Sequence, residues 1–323
     1  MALYLTYDND SLKDGFGAQI LRIFGIYSLA RFTRCKYMHT PIFETIEEFA
    51  HNIKDEGELE KLKSEVNKFF ELPSDNLPSK FDKVITIRSL GLKRFLSIYI
   101  RYKYSRKTIL LRILLPYGCT EKFPSINRIA AATVREQNLI RFKNHPKMEI
   151  VIHVRLGYGQ RTAVSSHVRP RHLPIAYYVN LINKVSKYFS TENSQTKVIV
   201  HTDLVSKSTT WKPTKKRLLQ NIEFGEEVIG GTVNVEATDL STSFVGNSKI
   251  SYEFRYCDEF FTTFLDLACA NNLILSRSSF SYLAALFNDG NVIWPDNHGH
   301  ARLQRWKSSK DYEIKSNFDL IQG

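Results

Sequence analysis

Short unbroken apolar runs alternate along this chain with longer stretches in which apolar positions return at helical spacing. The first run, "ALYLTYD" (2–8), suits a buried strand and is closed by the turn-rich "DNDSLKDGFG". "AQILRIFGIYSLARFTRCKY" comes next, with Ile20, Ile23, Phe24, Tyr27 and Leu29 or Ala30 at helical spacing, and "YMHTPI" reads as a second strand. Residues 44–70 turn helical and highly charged and close at "ELPSDNLPS". "FDKVITIRS" is a strand, 93–116 is basic and aromatic, and "SINRIAAATVREQNLIRF" is a helix with Ser125 placed as its N-cap.

A second series begins at "HPKMEIVIHVRLG". It continues through the helix "PIAYYVNLINKVSKYF", the strand "KVIVHTD", the helix "EFFTTFLDLACANN", the strand "LILS" and the helix "SSFSYLAALF". The stretch from "EEVIGG" to Cys257 matches neither rhythm clearly. Alternating strands and helices predict an α/β fold of two Rossmann-like domains facing each other across a cleft. The expected division is 1–145 and 146–323, with the last helix a candidate to return to the N-terminal domain.

Composition narrows this picture only a little. With 323 residues, 43% apolar and 24% charged, the chain is long enough for two cores and is not of disordered type. No stretch predicts a membrane span: "RFLSIYIRYKYSRKTILLRILLPYG" is interrupted every few residues by Arg or Lys. The start lacks a signal-peptide pattern, and Cys35, Cys119, Cys257 and Cys269 are scattered without metal or disulfide spacing, so a cytoplasmic protein is expected. The net charge of +12 calls for an anionic partner: nucleic acid, an acidic membrane or a phosphorylated small molecule.

Three places carry candidate chemistry. In "EIVIHVRLGYGQR", strand alternation puts His153 and Arg155 on one side, near the strand's C-terminal mouth, and Gly157 and Gly159 permit close backbone approach. An arginine fork matches a phosphate, although an Arg paired with a buried carboxylate has the same sequence pattern. In "LILSRSSFSYLAALF", Ser278, Ser279, Phe280 and Ser281 open a helix, which makes either an anion site or a plain serine N-cap. "KDGFGAQILR" is a glycine-containing loop between strand and helix, neither a dinucleotide fingerprint nor a Walker loop. One arginine and several helix-start amides converging on an inter-domain cleft would suit the diphosphate of a nucleotide.

These segments also resemble, in order and approximate spacing, motifs of the α-1,2-fucosyltransferase-like family of GDP-fucose-dependent enzymes. "VIHVRLGYG" resembles its HxRxGD segment, "RHLPIAYYVNLINKV" the helix after it, and "KVIVHTD" the strand before its acidic turn. "FLDLACANNLILSRSSFSYLAALFN" resembles its serine-rich block and "DGFGAQILRIFGIYSLARFTRCKY" its N-terminal glycine motif; residues 44–120 match nothing in it.

The resemblance implies an inverting, metal-independent glycosyltransferase of GT-B type, with GDP-fucose as donor, a glycan hydroxyl as acceptor and no cofactor. Carried over, Arg155 would bind the β-phosphate and stabilise the leaving diphosphate, and His153 and Gly157 would line the same pocket. Ser278, Ser279, Phe280 and Ser281 would hold the phosphates, while Gly15, Gly17 and Gln19 would form the N-terminal loop. Asp14 would be the general base, unless it only forms the turn. Asp203 and the Asp258–Glu259 pair are candidates for guanine. The chain departs from the family at Tyr158, which replaces the acidic residue after the glycine, and at Ala18, which replaces an amide.

Other readings remain open at this point: a transferase using another nucleotide-sugar, a binding protein of transferase fold without activity, and a basic nucleic-acid-binding protein. No recognisable nucleic-acid module supports the last, so no nucleic-acid partner is expected. The basic segment 93–116 is a candidate for peripheral membrane contact or for plain helix packing.

Overall fold

The computed structural model describes residues 2–8, 15–42, 56–103, 105–155, 173, 175–189, 195–202, 244, 249–256, 259–296 and 298–312. The chain divides into two units. Unit 1 comprises Met1–His145, Tyr282–Phe287 and Gly299–Arg305; unit 2 comprises Pro146–Ser281, Asn288–His298 and Trp306–Gly323. Each is built on one sheet in which every strand pair is parallel. Two parallel sheets with helices between their strands make the chain α/β.

In unit 1 the chain runs β1 (Ala2–Tyr7), α1 (Phe16–Thr33), β2 (Lys36–Tyr37), α2 (Glu56–Phe69), β3 (Lys83–Ser89), α3 (Leu92–Lys103) and β4 (Thr108–Leu115). It continues through α4 (Tyr117–Thr120), a 3-10 turn at Pro124–Ile126, α5 (Asn127–Gln137) and α6 (Leu139–Asn144). The strand order is β2-β1-β4-β3, so the central pair β1 and β4 carries the longest apolar runs. The segment 93–116 therefore does not form one surface element. Its first half is α3, whereas its second half is β4, with Ile109, Leu110, Leu111, Ile113 and Leu114 in the core.

Helix α1 is buried on all sides from Phe16 to Ala30, not on one face only. Gly25 makes one of its contacts possible: a Cβ there would stand 2.8 Å from Thr120 Cγ2 and 3.2 Å from Pro116 Cγ. The strand expected at "YMHTPI" is only two residues long. After it, the His39 amide turns to Ser74 Oγ (2.8 Å), and Pro41 has no amide to offer a ladder. Ser125 is not a cap: it lies inside the 3-10 turn opened by Pro124, and α5 starts without a side-chain cap. The long helix expected there breaks at Asn138. Its Nδ2 donates to Val134 O (2.9 Å) and Phe69 O (3.0 Å), tying the bend to the end of α2.

In unit 2 the order of elements is β5 (Ile150–Val154), α7 (Ile175–Phe189), β6 (Thr196–Thr202), β7 (Ile250–Tyr256), α8 (Phe260–Cys269), β8 (Asn272–Ile274), α9 (Ser279–Phe287), β9 (Asn291–Trp294) and β10 (Lys307–Ser308). The last residues of α9 belong to unit 1. The sheet order is β10-β9-β8-β5-β6-β7. From β5 the chain first winds outward through β6 and β7, then returns to β8 on the other side of β5 and winds away. The winding direction therefore reverses between β5 and β8.

Strand parity assigns the two faces of β5. Ile150, Ile152 and Val154 pack into a core with Tyr178, Ile182 and Val185 of α7. His153 points to the opposite face, where its ring lies 5.7 Å from that of Phe280, and Phe260 and Phe264 pack on Phe280 in turn. Burying a ring such as Phe264, which is fully inaccessible, contributes about 1.5–3 kcal/mol relative to exposure.

Candidate functional site

Open parallel sheets bind ligands beyond the carboxyl ends of their strands, where the winding reverses. In unit 2 that place is the end of β5 and β8, and the chain there reads Arg155 after one strand and Ser276, Arg277 and Ser278 after the other. His153 Nδ1 lies 3.0 Å from Ser276 Oγ, and Arg155 Nη1 donates to Ser278 Oγ at 3.2 Å. Both side chains of the HVR triplet thus meet the serine loop that opens α9.

The loop is held from within. Ser281 Oγ donates to the carbonyls of Ser276 (3.2 Å) and Ser278 (3.1 Å) and lies 3.2 Å from Ser276 Oγ. Ser278 immediately precedes α9, and its Oγ accepts the Phe280 amide at 3.2 Å, which is the geometry of an N-cap. Arg277 turns away and donates twice to the Asp296 carbonyl (2.9 and 3.2 Å). The Asp296 carboxylate receives Ser308 Oγ (2.9 Å) and Ser309 Oγ (3.3 Å). The result is a preset loop with a half-buried guanidinium beside a helix amino terminus, whose partial positive charge and orphan amides favour an anion.

His153 is only 7% exposed. Burial, then the charge of Arg155 and then that of His201, depress its pKa from 6.5 to about 3. It is a neutral imidazole that positions the Ser276 loop and adds no charge to the site.

Beside it lies a polar group that the sequence reading missed. In register across the sheet, His153 pairs with His201 and His201 with Arg255. The buried Asp266 carboxylate of α8 lies 2.9 Å from His201 Nε2 and also receives Nη1 of Arg255. Arg255 in turn pairs with Glu253 at 2.7 Å; Lys197 at 2.6 Å, and then Arg255, hold the Glu253 carboxyl below its ordinary pKa. The one available signal was a histidine interrupting an apolar strand at the same distance from its end as His153 is from the end of β5.

The other expected residues within the described part lie on or at the start of α9, α1 and α8. Ser279, Phe280 and Ser281 form the first turn of α9, with Phe280 and Ser281 buried and Phe280 turned towards His153. Gly15, Gly17 and Gln19 belong to unit 1. Gly15 is the N-cap of α1, and its carbonyl accepts the amides of Ala18 (2.9 Å) and Gln19 (3.2 Å). Gly17 lies inside the first turn of the helix, not in the loop before it, and Gln19 is buried. Glu259, a candidate for guanine, caps α8: its carboxylate accepts the amides of Phe261 (3.2 Å) and Thr262 (3.0 Å) and the Thr262 hydroxyl (2.7 Å). Asp14, Gly157, Tyr158, Asp203 and Asp258 lie outside the described residues.

Among the described residues no group of three or more His, Cys, Asp or Glu is placed to hold a metal ion, and no helix is long and apolar enough to cross a membrane. Cys35 and Cys119 are free thiols.

No family model matches the sequence, and no curated relative does. Among solved structures the chain is similar to POFUT1 in complex with GDP, at 12% identity and a TM-score of 0.41, over 95% of this chain and 97% of that one. It is similar to POFUT1 in complex with GDP-fucose at 11% identity and 0.42, over 94% and 96%. A third is E. coli heptosyltransferase WaaC with ADP-2-deoxy-2-fluoro heptose, at 9% identity and 0.37, over 98% and 100%. With identities and scores this low, the fold class rests on the chain's own two parallel sheets.

Proposed function

We propose that this chain is an inverting glycosyltransferase that takes its sugar from a nucleoside diphosphate donor, with GDP-fucose the first candidate, and passes it to a hydroxyl of a glycan. The observation that carries the reading is the Arg155–Ser278 contact at the amino terminus of α9, on the winding reversal of a parallel sheet. The motif order that resembles the α-1,2-fucosyltransferases supports the choice of fucose.

The chemistry is set by where charge develops. As the acceptor oxygen approaches the anomeric carbon, the bond from that carbon to the β-phosphate oxygen lengthens. The sugar becomes positive and the diphosphate carries away the electron pair. A guanidinium and helix-start amides aimed at the diphosphate bind it more strongly as that charge grows, which lowers the barrier. Ser278 holds the Arg155 fork in place before the donor arrives, so little reorganisation is needed at the moment of transfer. Asp14 is the proposed acceptor of the hydroxyl proton.

Thermal unfolding with GDP, UDP and ADP, on the wild type and on Arg155→Ala, tests the reading. A nucleotide at about 100 times its dissociation constant adds about 2.7 kcal/mol of stability. A melting shift with GDP that Arg155→Ala abolishes is the expected result. A shift with UDP or ADP in its place retains the transferase and replaces fucose. No shift with any nucleotide, in folded protein, overturns the reading.

A further inference from the structure

Between Leu77 and Lys107 unit 1 carries a single acidic residue, Asp82, and in the middle of this stretch stands α3. One side of α3 is buried through Phe95, and its end is held at β3, where Lys83 Nζ donates to Tyr102 OH at 3.3 Å. The opposite side faces water and presents two rows at i, i+4 spacing. Leu96 and Ile100, 45% and 62% exposed, form one row. Exposed Lys93, Ser97 and Arg101 form the other, with exposed Arg94 beside it. We propose that this face of α3 docks unit 1 on an anionic lipid surface.

Three observations specify that partner. First, the basic row is uncompensated. Among the described residues Lys93, Arg94 and Arg101 meet no carboxylate, and Asp82 Oδ2 is turned to the Thr108 amide at 2.6 Å. Each Lys or Arg brought near an anionic membrane strengthens attachment about fivefold.

Second, the aliphatic row runs alongside the basic one. A bilayer accepts Leu and Ile side chains at the boundary of headgroup and acyl chain, just beneath the phosphates that the cations meet. The phosphate backbone of a nucleic acid has no such use for Leu96 and Ile100.

Third, edge protection does not account for the row. Lys83 and Arg88 stand on β3, the edge strand of the sheet, where charged side chains deter pairing with another chain. Helix α3 has no ladder to guard. The docking face is thus narrower than the basic segment 93–116, whose second half is buried in β4.

Flotation of the full chain with phosphatidylcholine vesicles, with and without phosphatidylglycerol, tests this at about 0.1 M salt. Attachment to the mixed vesicles only is expected. Lys93→Gln, Arg94→Gln and Arg101→Gln together should weaken it about a hundredfold, at about fivefold each. Leu96→Ser with Ile100→Ser should weaken it about tenfold or more at unchanged net charge. Both variants alter exposed positions and should melt as the wild type does; should one fail to fold, the other decides. Equal attachment to the neutral vesicles, none to the mixed ones, or attachment that either folded variant leaves undiminished overturns the proposal. Duplex DNA held by the same three basic side chains would then name the partner instead. The measurement uses no nucleotide, so its failure is separate from that of the transferase reading, and both variants should retain the GDP shift.

Discussion

Arg155 and Ser278 lie 123 positions apart in the chain and 3.2 Å apart in space, and two residues earlier on each side His153 meets Ser276 at 3.0 Å with the same separation. The paired contacts come from one piece of geometry. Strands β5 and β8 run parallel and in register, so the segments leaving their carboxyl ends stay aligned with each other.

Ser278 has two duties in this arrangement, and Ser278→Ala should separate them. Loss of the cap on Phe280 should cost about 1 kcal/mol in the free protein. The GDP shift should shrink as well, because the Arg155 fork loses its anchor. Melting curves with and without GDP check both effects; an unchanged melting temperature without nucleotide would mean that the cap does not stabilise α9.

The buried His153 should make stability depend on pH. Its folded pKa is depressed to about 3, against an ordinary value of 6.5. Above pH 6.5 neither state protonates it and its full contribution is present. As pH falls from 6.5 towards 3, the unfolded chain takes up a proton that the native imidazole refuses. Stability should then drop by up to about 1.4 kcal/mol per pH unit from this group. Urea midpoints between pH 7 and about 4 should show a shallower slope in His153→Gln. Equal slopes in the two proteins would exclude His153 as the source.

Asp266 accepts from both His201 and Arg255 while almost wholly buried. Asp266→Ala leaves the Arg255 charge without its buried partner and should cost about 3 kcal/mol or more. The urea midpoint should fall with an unchanged dependence on denaturant, since the compactness of the two end states is not altered. A loss below about 1 kcal/mol would mean that water replaces the carboxylate at little cost.

Much of the chain's local structure was legible without coordinates. Apolar runs such as "ALYLTY" and "IVIHV" mark buried strands, whereas "TILLRILL", the central strand β4, lay inside the basic segment 93–116 and was not expected as a strand. Other expectations that failed were local ones. Asn138 breaks a helix that periodicity carries straight through, because its side chain takes up Val134 O and Phe69 O instead of pointing to solvent. Glu259, named only as a candidate for guanine, caps α8 through its carboxylate. In both cases the deciding partner is a backbone group, which pattern reading does not see.

By itself the sequence determined the alternation of strand and helix, and with it the α/β class, because burial on two faces and helical periodicity are written residue by residue. It also named His153, Arg155 and Ser278, since each stands at the end of an apolar run. Only the tertiary structure decided which strand lies beside β5, and so which serine Arg155 meets and which carboxylate His201 meets. Strand order is set by long-range packing between segments that share no local signal. Tyr117, Asn127, Tyr282 and His300 likewise come to line one small cavity only because unit 1 gathers distant pieces of the chain around one sheet.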